Sequence, residues 1–410
     1  MEKITGLIKT ISICVLMYLL VFLSLFSYLF LSGNHGFIAE TSFLNWDAAH
    51  YHFIMQNGYE DFRVAFFPLF PFLWKLVQLS PASISFLNGL IFTSSLSLLI
   101  YFLEIKRSKN FFLAISFPSF IFMFLPYSEA VFFLSSALFL IGFHKKNEAL
   151  VIAGLFLCSL SRPVAYIFIP AIFITEYLVS KSLSGFIKKS LLYSLIICLG
   201  LFLTMLIHQN YIGNWFAFFE AQTNWGNYFR LPQFPITSWA GGNIVRLDGS
   251  ALLVGLTAAA IGIIWLRKKI QKGELIESKA LVFSTLYLAG ISLFVLFFRG
   301  GWLFSLNRFV FATPFFLVFF FSFLPKINLT LKQFLFCFLA LSVFWLWFAS
   351  YVHIQNILKY EALTLYLLLF LLVNNKNKIL SNISFGVCIA GNIFLMLYFY
   401  HRFLNGEWVG

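Results

Sequence analysis

Asp47, His50 and Tyr51 fall at i, i+3 and i+4 in the run Asn45 to Pro71, NWDAAHYHFIMQNGYEDFRVAFFPLFP. On a helix those three side chains share one face. A carboxylate beside an acceptor hydroxyl, with an imidazole at hand, is the minimum for general base catalysis of group transfer from a phosphate-linked donor. The leaving phosphate then needs positive charge rather than a proton donor. Asn45 is placed to cap such a helix and Asn57-Gly58 to stop it. Trp46, Ala49 and Phe53 would form the apolar side that seats it. A carboxylate in a first helical turn also favours the helix dipole without doing chemistry, so residue types alone leave both roles open for Asp47. His50 and His52 with Asp47 and Glu60 invite a metal, but their spacing on one short helix suits a common ion poorly. No metal and no other cofactor is expected.

The chain that must position this cluster is extremely apolar: 410 residues, 61% hydrophobic, 10% charged, mean hydropathy +0.90. Repeated apolar runs near the roughly 20 residues a spanning helix needs identify an all-α polytopic membrane protein. Thirteen runs are expected to be helical: Ile8–Leu31, Ser83–Leu103, Phe111–Leu125, Ala130–Phe143, Leu150–Leu160, Val164–Val179, Ile187–Ile207, Ala251–Leu266, Ala280–Phe298, Phe309–Leu324, Lys332–Tyr351, Ala362–Val373 and Ile383–Tyr400. Phe111–Phe143 and Leu150–Val179 are each two short helices or a broken, re-entrant element, giving about 11 to 13 transmembrane helices. The first run is too long for a secretory h-region and no small-residue cleavage site follows it, so it reads as a retained helix. Residues 1–410 form a single integral membrane domain. Its two substantial loops, about 32–82 and about 209–250, lie on the same face. The five cysteines sit in or beside apolar runs without metal-like or paired spacing and read as packing residues.

The net charge of +13 does not imply nucleic acid, because its distribution follows the positive-inside rule. With the N-terminus inside, nine basic residues fall outside: Arg63, Lys75, Arg162, Arg230, Arg246, Arg299, Arg308, Lys359 and Arg402. Seven of those nine are arginine, whose planar fork suits phosphate. The competing reading pairs them with outer acids such as Asp47, Glu129 and Asp248.

The run from Trp46 to Pro71 resembles the first luminal loop of the PIG-V family, mannosyltransferases that add the second mannose during GPI-anchor assembly, and of its bacterial relatives. The matching residues are Trp46-Asp47, His50, Gly58-Tyr59, Glu60, Ala65 to Pro68, and Phe70-Pro71. Further matches follow in order: PYSEAVFFL from Pro126, SRPVAY from Ser161, QTNWGNYFRLPQFP from Gln222 and NRFVFATP from Asn307. The resemblance covers roughly positions 45 to 315. Pro163-Val164-Ala165 replaces the family's Ser-Asn-Gly, and nothing after Pro314 aligns, so specificity for a GPI intermediate is not carried over.

The resemblance implies a GT-C type glycosyltransferase with its catalytic acid in the first extracytoplasmic loop. Such enzymes are inverting, take the sugar from a polyprenyl- or dolichyl-phosphate donor and pass it to a glycan or glycolipid acceptor. The absence of a P-loop or dinucleotide fingerprint is consistent with a donor that is not a nucleotide. In this scheme Asp47 is the general base, while Arg308, Arg162, Arg299 and His50 hold the donor phosphate. Trp46, Tyr51, Tyr59, Glu60, Glu129, Gln222 and Trp225 contact substrate. Glu129 and Arg299 keep plainer alternatives, a helix-dipole partner and an interfacial anchor. The expected setting is a bacterial plasma membrane with the site on its extracytoplasmic face, or the ER membrane in a eukaryote, with membrane lipids the only other partners. The alternative from another class is a lipid-linked saccharide flippase or polytopic transporter. It is weakened by the lack of inverted repeats and by polar residues concentrated at one face.

Overall fold

The structure, a computed structural model, describes residues 2–31, 39–105, 108–238, 242–349 and 353–410. Among these residues every regular element is helical apart from two isolated bridges, Ile236 with Phe348 and Thr237 with Trp302. Each of the thirteen apolar runs is helical over most of its length. Among the described residues seven helices are long and apolar enough to cross a membrane, eight if one bent pair is a single span, and four more apolar helices are shorter. The protein is therefore a polytopic helical membrane protein.

The breaks follow the prolines. The run Phe111–Leu125 divides into a helix Lys109–Ile115 and a 3-10 turn Pro118–Phe124, which meets the helix Glu129–Lys145 at 104°. Broken backbone inside a membrane protein must find partners. Here Asn88 Nδ2 donates to the carbonyls of Leu125 (2.6 Å) and Tyr127 (2.9 Å), and Ser85 Oγ donates to Phe124. Pro163 opens a 3-10 turn, Pro163–Ile167, ahead of the helix Phe168–Val179. Pro314 likewise divides Phe309–Leu324 between the helices Leu306–Phe311 and Pro314–Phe323, the second capped by Thr313.

The second loop is shorter than 209–250. The helix Leu183–Ile212 runs on to the left-handed C-cap Gly213, and the next helix, Gly242–Lys272, already contains Asp248. The loop between is tied down by backbone bonds from Arg230 to Phe297, Gln233 to Gly300 and Ile236 to Trp347. The run Lys332–Tyr351 is a helix only over Leu331–Trp345, and Tyr351 lies outside the described residues.

Small residues set the closest helix approaches, as expected where apolar surroundings give no hydrophobic drive. A Cβ on Gly154 would lie 2.6 Å from the Phe139 nitrogen, so the helices Glu129–Lys145 and Glu148–Ser161 pack backbone to backbone. That hairpin fixes Glu129 at the start of one helix and Arg162 at the end of the other.

Candidate active site

Asp47 opens the helix Asp47–Asn57, and Gly58 (φ 86°) closes it as expected. Asn45 is not the cap. Its Nδ2 donates instead to the carbonyls of Ser42 (2.9 Å) and Phe403 (2.7 Å), and Trp46 holds the cap position at φ 55°, ψ −124° without a capping side chain. The seating face also differs from the sequence expectation. Ala48, Tyr51 and Ile54 are buried, whereas Ala49 is exposed and Phe53 is half-buried beneath the Arg63 guanidinium, 3.7 Å from its ring centroid. The helix thus turns its polar edge inward, because a partner for Asp47 waits there.

That partner is Arg308. Its Nη2 donates to Asp47 Oδ2 at 2.8 Å, its Nε to Glu129 Oε1 at 2.7 Å and its Nη1 to the Gly410 carbonyl at 3.0 Å. Arg162 Nη1 lies 3.1 Å from the same Glu129 oxygen. Two side-chain carboxylates therefore face two guanidiniums, in a site where Glu129 is fully buried, Arg308 is 4% exposed and Asp47 keeps 20% of its side chain open. The rings of Phe122 and Tyr127 flank Arg308, and Phe309 and Phe132 flank Arg162. Burial alone would lower the Arg308 pKa, but Glu129 and Asp47 outweigh it and hold the group above its ordinary value. Glu129 Oε2 is buried without a hydrogen-bond partner, so this acid spends one oxygen on both arginines.

A second tier anchors Asn307, the residue before Arg308. Asn307, through its backbone N–H (2.9 Å) and Nδ2 (2.8 Å), donates to Asp248 Oδ1, and Ser238 Oγ donates to Asp248 Oδ2 at 2.7 Å. Sequence reasoning placed Asp248 only among outer acids. The available signal was an acid within an apolar helix, which calls for a buried partner. Arg299 belongs to a different network: its Nε donates to Asn227 Oδ1 (3.1 Å), and its guanidinium stacks 3.7 Å from the Phe304 ring. Gln222 joins that network by accepting from Asn227 Nδ2 at 2.8 Å.

The remaining expected residues divide into two groups. His50 packs on Phe62 and Phe66, and the exposed Trp225 packs on the same two rings, so an aromatic wall stands beside Asp47. Burial lowers the His50 pKa, Asp47 opposes that shift and Arg63 adds to it. Tyr51 donates to Ser128 Oγ at 2.8 Å, joining the loop helix to the residue before Glu129. Tyr59 is 2% exposed, packs on His208 and Tyr211 and gives its hydroxyl to the Phe66 carbonyl, so it is a packing residue rather than a surface for substrate. Glu60 is exposed at the start of the turn Asp61–Ala65. His52 lies against Trp74. Among the described residues no group of three or more His, Cys, Asp or Glu is arranged to hold a metal ion.

Sequence reasoning gave the segment 403–410 no part in the site, naming only Glu407 among the outer acids. Trp46 Nε1 donates to the Gly406 carbonyl (3.1 Å), Trp46 and Trp408 meet edge to face, and Val409 is buried. Compared with known proteins, the chain matches no family model, no curated protein and no solved structure.

Proposed function

We propose that the chain is an inverting glycosyltransferase of the GT-C type, similar to the PIG-V family, with Asp47 as the general base. The observation that carries this reading is the Asp47–Arg308 pair: a partly open carboxylate, fixed by a buried arginine, in the segment that resembles that family's catalytic loop. The donor is a sugar on a polyprenyl phosphate and the acceptor a hydroxyl of a glycan or glycolipid. Mannose is the sugar the resemblance favours.

In this mechanism the acceptor hydroxyl loses its proton to Asp47 as its oxygen attacks the anomeric carbon. The bond from that carbon to the phosphate oxygen breaks on the opposite side, which inverts the anomeric configuration. The charge pairing gives Arg308 a timed role. Before the step, its charge is matched by Asp47 and Glu129. Once Asp47 takes the proton, the cluster loses one negative charge, at the moment the leaving lipid phosphate gains one. A preorganised cation of this kind acts on charge that develops only in the transition state. Arg162, sharing Glu129, contributes to the same field, and His50 and Trp225 line the approach for sugar.

A cavity of about 890 Å³ supports a lipid-linked substrate. It is lined almost wholly by apolar side chains, among them Phe117, Phe311, Phe319 and Leu367, with Arg246 and Ser250 on its wall. Phe311 belongs to the short helix that carries Arg308, so the cavity wall reaches that helix. Purified protein in lipid, given labelled polyprenyl-phosphate mannose and a panel of hydroxylated acceptors, is expected to form an inverted glycosidic product. Donor binding without any product across the panel would instead favour a flippase.

A further inference from the structure

Three carbonyls of the segment 403–410 accept hydrogen bonds from three residues of the site. Phe403 accepts from Asn45, Gly406 from Trp46 and Gly410 from Arg308. These donors are the two residues leading into Asp47 and the arginine that holds its carboxylate. Trp46 stands at φ 55°, ψ −124°, a conformation a residue with a Cβ keeps only where its surroundings impose it. Asn45 and Trp46 each donate to this segment, and Trp46 meets Trp408 edge to face. The segment is itself packed in place: Val409 and Gly410 are buried, and a Cβ on Gly410 would meet the Phe122 ring at 2.8 Å.

We propose that residues 403–410 form a positioning strap that sets the carboxylate of Asp47 against Arg308 by holding Trp46 in its strained backbone conformation and closing the third edge of the guanidinium. The strap touches neither reacting atom and acts through Trp46 and Arg308. Its role in turnover rests on the reading of Asp47 as the base; its role in holding the helix start does not. A shift of about 1 Å in a catalytic group is enough to cost about a hundredfold in rate, so the strap acts on kcat without contributing to donor binding.

Two variants test this in lipid nanodiscs: Trp46→Phe, which keeps a ring but removes the indole donor, and deletion of residues 406–410. Hydrogen exchange is followed over residues 44–52, where the amides of Ala48 and Ala49 donate to the Asn45 and Trp46 carbonyls. Both variants are expected to exchange faster there, with the long helices at wild-type protection. In the transfer assay kcat should fall about tenfold to a hundredfold with donor KM unchanged. Wild-type protection at 44–52 in Trp46→Phe, or loss of protection spread over all helices in both variants, overturns the proposal. Faster local exchange in the variants of a protein that transfers no sugar would sustain the strap and sink the glycosyltransferase reading.

Discussion

Arg308 reaches Asp47 and Glu129 at once, with Nη2 2.8 Å from Asp47 Oδ2 and Nε 2.7 Å from Glu129 Oε1. One guanidinium thus joins a loop helix to the bent membrane element, across 261 and 179 positions of chain. The pairing makes Arg308 less a free phosphate clamp than a charge held in reserve by two acids.

Lysine cannot replace it. Arg308→Lys keeps the charge but loses the planar fork, so it cannot hold both acids in this geometry. Transfer is expected to fall about a hundredfold, the scale of losing one preorganised donor. Steady-state kinetics on the variant checks this, and near wild-type kcat would count against the fork.

Removing Glu129 leaves Arg162 without its carboxylate and Arg308 with Asp47 alone. Glu129→Gln is expected to destabilise the fold by about 3–5 kcal/mol, the range for breaking a buried ion pair on one side. Adding Arg162→Met should recover part of that loss, because it removes the guanidinium left without a carboxylate. Thermal unfolding in detergent of both variants reads the coupling.

The pH dependence has a definite sign at His50. Its folded-state pKa lies below 6.5, chiefly through burial, so the unfolded chain binds the proton more readily. The contribution is full above pH 6.5 and is lost as pH falls from there toward the folded value. Wild type is expected to lose more thermal stability than His50→Gln between pH 7 and pH 5. Parallel curves for the two proteins would contradict it.

Gly58 is required by both conformation and space. At φ 86° a side chain is strained, and a Cβ would lie 2.2 Å from the Tyr211 ring. Gly58→Ala should cost about 1–3 kcal/mol from conformation alone, before the clash. Combining it with Tyr211→Ala should relieve only the steric part, as differential unfolding of the three proteins will show.

The apolar cavity gives a chain-length test. Leu367→Trp narrows it and is expected to raise KM for a long polyprenyl donor while leaving a short-chain donor unchanged. Equal effects on both donors would place the lipid elsewhere.

Much of the architecture was legible because burial in an apolar medium acts on composition: the helices lie on the apolar runs, and Pro118, Pro163 and Pro314 mark their breaks. The segments holding Glu129, Arg162 and Arg308 were each found in sequence, and the structure brings those three together with Asp47. Their pairing stood in the sequence only as the competing reading, since nothing in residue type says whether an arginine faces an acid or a ligand. The face of the loop helix was misassigned for a related reason. Counting Trp46, Ala49 and Phe53 as its seat ignored that a polar face turns inward where Arg308 and Ser128 offer partners. Segment 403–410 left no signature because it acts through backbone carbonyls, which every residue possesses.

The most direct test of the central claim is a single-turnover comparison of wild type with Asp47→Asn, with donor binding measured on the same samples. The substitution preserves shape and removes the base. The account predicts unchanged donor affinity and a loss of glycosidic product of about a thousandfold, within the usual range for removing a general base. Product formation at the wild-type rate in Asp47→Asn would contradict it.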